Sequence, residues 1–437
     1  MAPTPPSPLE LLLLPALQLP SSPASLRSAY KTTFETLLPK LTHPSSSSVT
    51  RLDIALVLPS SYPISPNISR SASYPLLQTL FSHTYSLICS VAAQANIDLD
   101  FPGGLDVRLF VLEPRSSNLS PSILGKQSLS GPIVDFETFV SSTPSRHYTT
   151  LYTVEGETGE SHLRTLVTAW QSRQGGIAPP VQRLPCGPSV TTNPCASATS
   201  AYVAGDEGPV TSHKSVAVGG TFDHLHIGHK LLLTATVLAA EPSEPDAQQP
   251  TTPPRLITVG ITGDELLVNK KYGAVVESWA TRQQRTAEFV ESILVFHPDV
   301  ASIQKTEHVD QPGPNGKVVR VSYAVGADDI IINYTQISDP FGPTITDQDI
   351  TALVISGETR AGGKAVNDKR LEKGWKALEV FEVHVLDAGV GFDDDDDDDD
   401  DGVEGQPQQQ QNKQNFESKI SSTEIRRRLY EQKEGTT

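Results

Sequence analysis

Residues 219–230 read GGTFDHLHIGHK and gather three glycines, a hydroxyl and three histidines in one block. Gly219 and Gly220 allow the backbone to approach a bound group and to take angles that other residues avoid. Thr221 offers a hydroxyl and a backbone N–H at the same edge. His226 and His229 bracket Ile227 and Gly228. Gly228 leaves room for a base or ribose to press on a helix start, where free N–H groups and aligned peptide dipoles favour phosphate. Such a set suits the handling of a nucleotide. Two histidines three apart also fit a surface pair or part of a metal site, but zinc needs more ligands than this block supplies, and no cysteine is near it in sequence.

The elements that must hold this block follow from the hydrophobic pattern. A short apolar strand over 215–218 leads into the glycine turn, and a helix follows over about 228–240. Further strands are expected at 256–261, 318–325, 352–355 and 380–386, with helices at 281–293 and 422–432. A Pro/Gln-rich loop separates helix from strand at 241–254. Strands alternating with helices indicate a parallel sheet with right-handed crossovers, and ligands of such sheets bind at the carboxyl ends of the strands.

Earlier in the chain, strands are expected at 51–59, 106–114 and 147–154, with helices at 77–97 and 161–172. No motif there carries chemistry, and 175–208 reads as linker. The fold class is therefore α/β, a Rossmann-like parallel-sheet domain over 210–437 preceded by a smaller α/β region over 1–205. Nine consecutive aspartates at 393–401 and the Gln-rich stretch after them have almost nothing apolar to bury, so 391–416 is expected to be a solvated loop.

Composition narrows the function classes. A formal charge of −17 over 437 residues disfavours nucleic acid and anionic membranes as partners. The run at 9–14 is apolar but too short to span a bilayer and lacks the basic flank of a signal peptide. Three cysteines with no CxxC pair fit reduced structural thiols. A cytoplasmic, or also nuclear, location is the expectation.

GGTFDHLHIGHK resembles the nucleotide-binding signature of the HxGH nucleotidylyltransferase superfamily and, within it, is similar to eukaryotic, fungal-type phosphopantetheine adenylyltransferases. Later segments carry the narrower likeness. VGITGDELLVNKK (259–271) resembles a second strand and a basic phosphate-reaching loop. LVISGETRAGGKAVNDKRLEKGWKAL (353–378) resembles a block of the family. DPFGP (339–343) fits the eukaryotic form, and ISSTEIR (420–426) resembles the closing motif. The likeness covers about 210–435.

It implies attack by the phosphate of 4′-phosphopantetheine on the α-phosphorus of ATP, with release of pyrophosphate. The nucleophile is already an anion, so positioning and charge stabilisation are the work. The catalytic residues implied are His229, donating to an α-phosphate oxygen, Thr221, orienting the attacking phosphate, and Lys270, neutralising the phosphates. Gly219, Gly220, Phe222, Asp223, His226, Gly228, Lys271, Arg360, Asn367, Arg370, Ser421, Ser422, Thr423 and Arg426 are the binding residues implied. Either lysine of the pair fits the basic role, and Asn367 and Arg370 have no individual role assigned by the motif. Ser421 or Ser422 can cap the last helix, and its free N–H groups can instead receive a phosphate. Mg²⁺ is expected with ATP, and no protein ligand set for it is visible.

Nicotinamide-nucleotide adenylyltransferases share an ISST-x-R ending and are the nearest enzymatic alternative, ahead of cytidylyltransferases. Class I aminoacyl-tRNA synthetases need a KMSKS loop, which NKKYG does not resemble. GETRAGGKA (357–365) has the wrong spacing for the phosphate loop of a fused dephospho-coenzyme A kinase. From another class comes a non-catalytic scaffold of a coenzyme A-synthesising complex, and assembly with other enzymes of that synthesis fits either reading.

Overall fold

The computed structural model describes residues 8–17, 19–43, 48–59, 69–101, 103–113, 130–173, 177–187, 211–242, 253–325, 329–384, 386 and 421–434. The aspartate run and the Gln-rich stretch lie outside the described residues. Two sheets organise the rest.

The first holds β1 (Leu9–Pro15), β2 (Thr50–Val57), β3 (Leu105–Glu113), β4 (Ile133–Asp135), β5 (Thr150–Val154) and β6 (Val181–Leu184), in the order β4-β3-β2-β1-β5-β6. All neighbours are parallel. Helices α1 (Pro23–Leu41), α2 (Arg70–Gln94), α3 (Phe136–Ser142) and α4 (Glu157–Gln171) accompany them. The run at 9–14 is thus the central strand. Leu11 to Leu14 are fully buried, as a parallel strand covered on both faces requires. Such a run shows no alternation, so its period gave no sign of a strand. Strand β6 falls in the stretch expected to be linker.

The second sheet holds β7 (Ser215–Gly220), β8 (Arg255–Thr262), β9 (Gln304–Asp310), β10 (Lys317–Tyr323), β11 (Ile330–Ile337), β12 (Ala352–Ser356) and β13 (Glu379–Val383), in the order β13-β12-β7-β8-β11-β10-β9. Its helices are α5 (Ile227–Ala239), α6 (Trp279–Leu294), α7 (Val300–Ile303), α8 (Arg360–Glu372) and α9 (Ser422–Glu434). From β13 to β11 the pairs are parallel. The expectation of a wholly parallel sheet is corrected at β10, which is antiparallel to both β11 and β9. β10 alternates between buried and partly exposed residues, the pattern of a strand with one wetted face.

The parallel strands run outward from β7 in both directions, through β8 to β11 on one side and through β12 to β13 on the other. The order therefore reverses between β7 and β12, where doubly wound sheets open a ligand crevice. The pairing shows the opening directly. β7 pairs with β8 as far as Gly220, but with β12 only as far as Val218.

The two sheets share one hydrophobic cluster, which includes Leu12, Tyr85 and Ile88 of the first half and Ile227, Leu231 and Phe289 of the second. Helix α2 packs on α5. Arg146, buried, donates to the Ser292 and Val295 carbonyls at 2.7 and 3.1 Å and also pairs with the buried Asp53. No described helix is long and apolar enough to cross a membrane.

Candidate active site

The crevice between β7 and β12 deepens into a cavity of about 820 Å³. Gly219, Gly220 and Thr221 form one wall, His226, Gly228 and His229 a second, and Ser356 at the end of β12 with Glu358 and Thr359 after it a third. Ser421, Ser422 and Thr423 close it from the start of α9, and Lys270 reaches it from the loop after β8. A Cβ on Gly219 would meet nothing within 4 Å, so this glycine keeps cavity space free.

The turn after β7 is bent by two left-handed residues, Phe222 (φ 51°) and His224 (φ 46°), a conformation that bulky side chains adopt only when their surroundings hold them. Burial supplies the hold. Phe222 is fully buried, 5.4 Å from the His229 ring. Asp223 between them is also fully buried and accepts from the Glu277 N–H at 2.9 Å and from Arg426 Nη1 at 2.7 Å. Neither Phe222 nor Asp223 lines the cavity. Expected to bind nucleotide, they form the floor beneath the site.

The two ends of the second half meet at a serine. Ser422 Oγ donates to the Asp223 carbonyl at 3.1 Å and lies 3.1 Å from His226 Nε2. A hydroxyl has one hydrogen, and a carbonyl can only accept it, so His226 Nε2 must donate to Ser422. His226 Nδ1 is then a bare acceptor, and it is buried with no partner. Ser421 fills the capping position weakly, with the Glu424 N–H 3.5 Å from its Oγ. His226 precedes helix α5 without capping it through its side chain, so the first N–H groups of the helix stay available.

The His226 and His229 rings stack with centroids 3.8 Å apart. Burial, and then the nearby His229 and Lys230, push His226 far below the ordinary imidazole value. Burial lowers His229 to about 4, with Asp223 opposing and His224 adding. Both rings are therefore neutral at neutral pH, and His229 Nδ1 has no partner.

The lysine pair is separated by the fold. Lys270 lines the cavity, whereas the Lys271 ammonium lies over the Tyr272 ring at 5.2 Å and its carbonyl accepts from Arg426. Arg426 lines the cavity wall and makes one hydrogen bond from each guanidinium nitrogen, to Lys271, Asp223 and Thr423. It ties α9 to the turn after β7.

Three more expected binding residues lie outside the cavity. Arg370 is fully buried and spends all five donors on the carbonyls of Thr344, Asp347, Gln348, Ile350 and Lys376. Asn367 exchanges two hydrogen bonds with Leu378. Arg360 pairs with Glu382 on β13. The first two clamp the segments flanking α8, and none of the three lines the cavity.

Sequence reasoning did not single out Ser356, Glu358, Thr359 and His384, all of which line the cavity, although position at a strand end beside the reversal was signal enough. It also passed over Arg282, buried, whose guanidinium donates to the Thr221 and Glu277 carbonyls and to Asp264. Arg282 fixes the backbone from which the Thr221 hydroxyl projects.

A second lobe of about 360 Å³ opens from the same glycine turn. Gly219, Gly220, Thr221 and Thr359 belong to both lobes, and beyond them Ile337, Pro340, Phe341, Leu353 and Val366 make this one predominantly apolar. Its rim is the segment 339–343, held by Asp339, which accepts from the Phe341 and Gly342 N–H groups and from Asn315. Among the described residues no group of three or more His, Cys, Asp or Glu side chains forms a metal-ligand set.

Comparison with known proteins divides the chain. Residues 1–190 match the family described as "Domain of unknown function (DUF8446)". An uncharacterized protein, C1F12.08, of Schizosaccharomyces pombe is 31% identical over 181 residues, 41% of this chain and 43% of its own. The phosphopantetheine adenylyltransferase of Saccharomyces cerevisiae is 33% identical over 225 residues, 51% of this chain and 52% of its own. That of Thermococcus gammatolerans is 27% identical over 179 residues, 41% of this chain and 82% of its own. The matches to the two fungal relatives span about half of those proteins' lengths.

Proposed function

We propose that the chain transfers the adenylyl group of ATP to 4′-phosphopantetheine, giving dephospho-coenzyme A and pyrophosphate. The observation that carries this reading is the convergence of the glycine turn, the histidine pair, Lys270 and the start of α9 on one cavity that joins an apolar lobe at Thr221. The names of the curated relatives support the acceptor.

In this reading ATP enters the larger lobe as its Mg²⁺ complex, with the ion held by phosphate oxygens and water. The pantetheine arm lies along Phe341 and Ile337 in the apolar lobe, which brings its phosphate to the Thr221 hydroxyl. A phosphate oxygen forms a bond to the α-phosphorus as the bond from α-phosphorus to the bridging oxygen breaks and pyrophosphate leaves. No proton has to be removed from the nucleophile. His229, neutral, donates a hydrogen bond to an α-phosphate oxygen as charge develops. Lys270, the uncapped N-terminus of α5 and the weakly capped N-terminus of α9 neutralise the leaving phosphates.

The test is pyrophosphate release by purified full-length chain with ATP, Mg²⁺ and 4′-phosphopantetheine. Release only with nicotinamide mononucleotide, or only with CTP and an acceptor, reassigns the enzyme. Absence of release with every acceptor leaves the scaffold reading.

A further inference from the structure

Lys230 follows His229 in the chain, and its side chain points the other way. Successive helix residues are turned by about 100°, so while His229 faces the cavity, Lys230 enters the first half of the molecule. There its ammonium, 2% exposed, pairs with Asp100 and, at 2.6 Å, with Asp106. Both carboxylates belong to the region that matches a domain of unknown function.

Asp100 lies in a closed loop that leads into β3, and Asp106 is the second residue of that strand. Asp100 N–H donates to the Leu105 carbonyl at 2.8 Å, and Leu105 N–H returns to the Asp98 carbonyl at 3.1 Å. A Cβ on Gly104 would come within 2.2 Å of that carbonyl oxygen, so the loop closes only with glycine there. Asp100 itself sits at φ 64°. Arg108 donates to Asp106 Oδ2, leaving Oδ1 to Lys230. The same loop reaches α9. Arg428 pairs with Asp98 at 2.8 Å and lies 5.0 Å over the Phe101 ring. One loop therefore grips both helices whose starts line the cavity.

A buried ion pair adds little net stability relative to apolar packing, because desolvation offsets the attraction. What this one adds is register for α5. We propose that the loop between α2 and β3, together with Asp106 at the start of β3, is a positioning element of the candidate active site, acting through Lys230 on His229 and through Arg428 on the Ser421–Thr423 turn. This rests on the adenylyl-transfer reading for its kinetic effect, but not for its structural one.

The test uses the full chain, with Lys230→Met and Lys230→Arg each made in the native and the His229→Ala backgrounds. Loss of register should lower kcat roughly ten- to a hundredfold in Lys230→Met, with KM for ATP unchanged and with most of the rate restored in Lys230→Arg. In His229→Ala the same substitution should change kcat less than about twofold, because residues that act through one another are not additive. An equal loss in both backgrounds, or none in either, overturns the proposal. Histidine ring signals in ¹⁵N-labelled chain give a second readout. Those of His226 and His229 should move in Lys230→Met and stay in Lys230→Arg, and unmoved signals overturn the proposal whether or not the chain is active. If the native chain is inactive with every acceptor while these signals move, the adenylyl-transfer reading fails and the positioning role stands. Should Lys230→Met not fold, Asp106→Asn takes its place under the same criteria.

Discussion

Ser422 Oγ lies 3.1 Å from His226 Nε2, although the two residues are 196 positions apart. This contact joins the closing ISST segment to the HxGH segment and sets one wall of the cavity. Ser422→Ala removes the acceptor of the His226 Nε2 hydrogen and the donor to the Asp223 carbonyl. Loss of this strap should reduce kcat about tenfold, through misplacement of the start of α9. Stopped-time pyrophosphate assays decide it, and an unchanged kcat would falsify the strap.

His229 should matter more. If its ring stabilises charge developing on the α-phosphate, His229→Ala loses about a hundredfold or more in kcat, with a smaller change in KM. Turnover within threefold of the native value rules that role out.

The pH profile follows from burial. His229 titrates at about 4 in the fold against an ordinary 6.5, so the unfolded chain binds more protons between those values and stability rises with pH across that window. Lowering the pH from 6.5 toward 4 should therefore lower the melting temperature, and less so in His229→Asn. The ring stays neutral above about pH 5, so kcat should show no acid limb at 6.5 from this residue. A limb at 6.5 that vanishes in His229→Asn contradicts the neutral ring.

Arg370 separates structure from binding. With all five donors on carbonyls, Arg370→Met leaves buried acceptors unsatisfied, at about 1–3 kcal/mol for each one that water cannot reach. Urea unfolding should show the loss, while KM for ATP in the folded protein stays within twofold of native. A large rise in KM for ATP with stability intact would return Arg370 to the nucleotide.

The apolar lobe makes a prediction about the acceptor. Removing most of the Phe341 side chain forfeits about 1.5–3 kcal/mol of apolar contact, so Phe341→Ala should raise KM for 4′-phosphopantetheine roughly tenfold or more and leave that for ATP alone. An equal rise for both substrates places the acceptor elsewhere.

The sequence made the α/β class legible because strand and helix periods alternate from residue 215 onward, and the glycine turn and histidine pair fell where the sheet order reverses. It did not show that Asn367 and Arg370 bond the chain itself or that Arg360 pairs with Glu382, since a motif records which residues recur and not what they touch. Asp223 was expected to bind substrate and Arg426 to face the phosphates, and in the fold the two pair with each other beside the turn after β7. Lys230 showed nothing, because its partners lie 124 and 130 residues away. Strand β1 was hidden by its own uniformity, since a run buried on both faces has no polar side to mark the period.

The hydrophobic cluster that runs without a break from Leu12 to Leu386 has a consequence for how the molecule comes apart. Neither half can lose its packing without baring apolar surface on the other, so melting should be cooperative, a single calorimetric transition in place of two. The stretch of unknown function would then be no detachable appendage, and transplanting the second half alone onto another protein should yield a sticky, half-finished core.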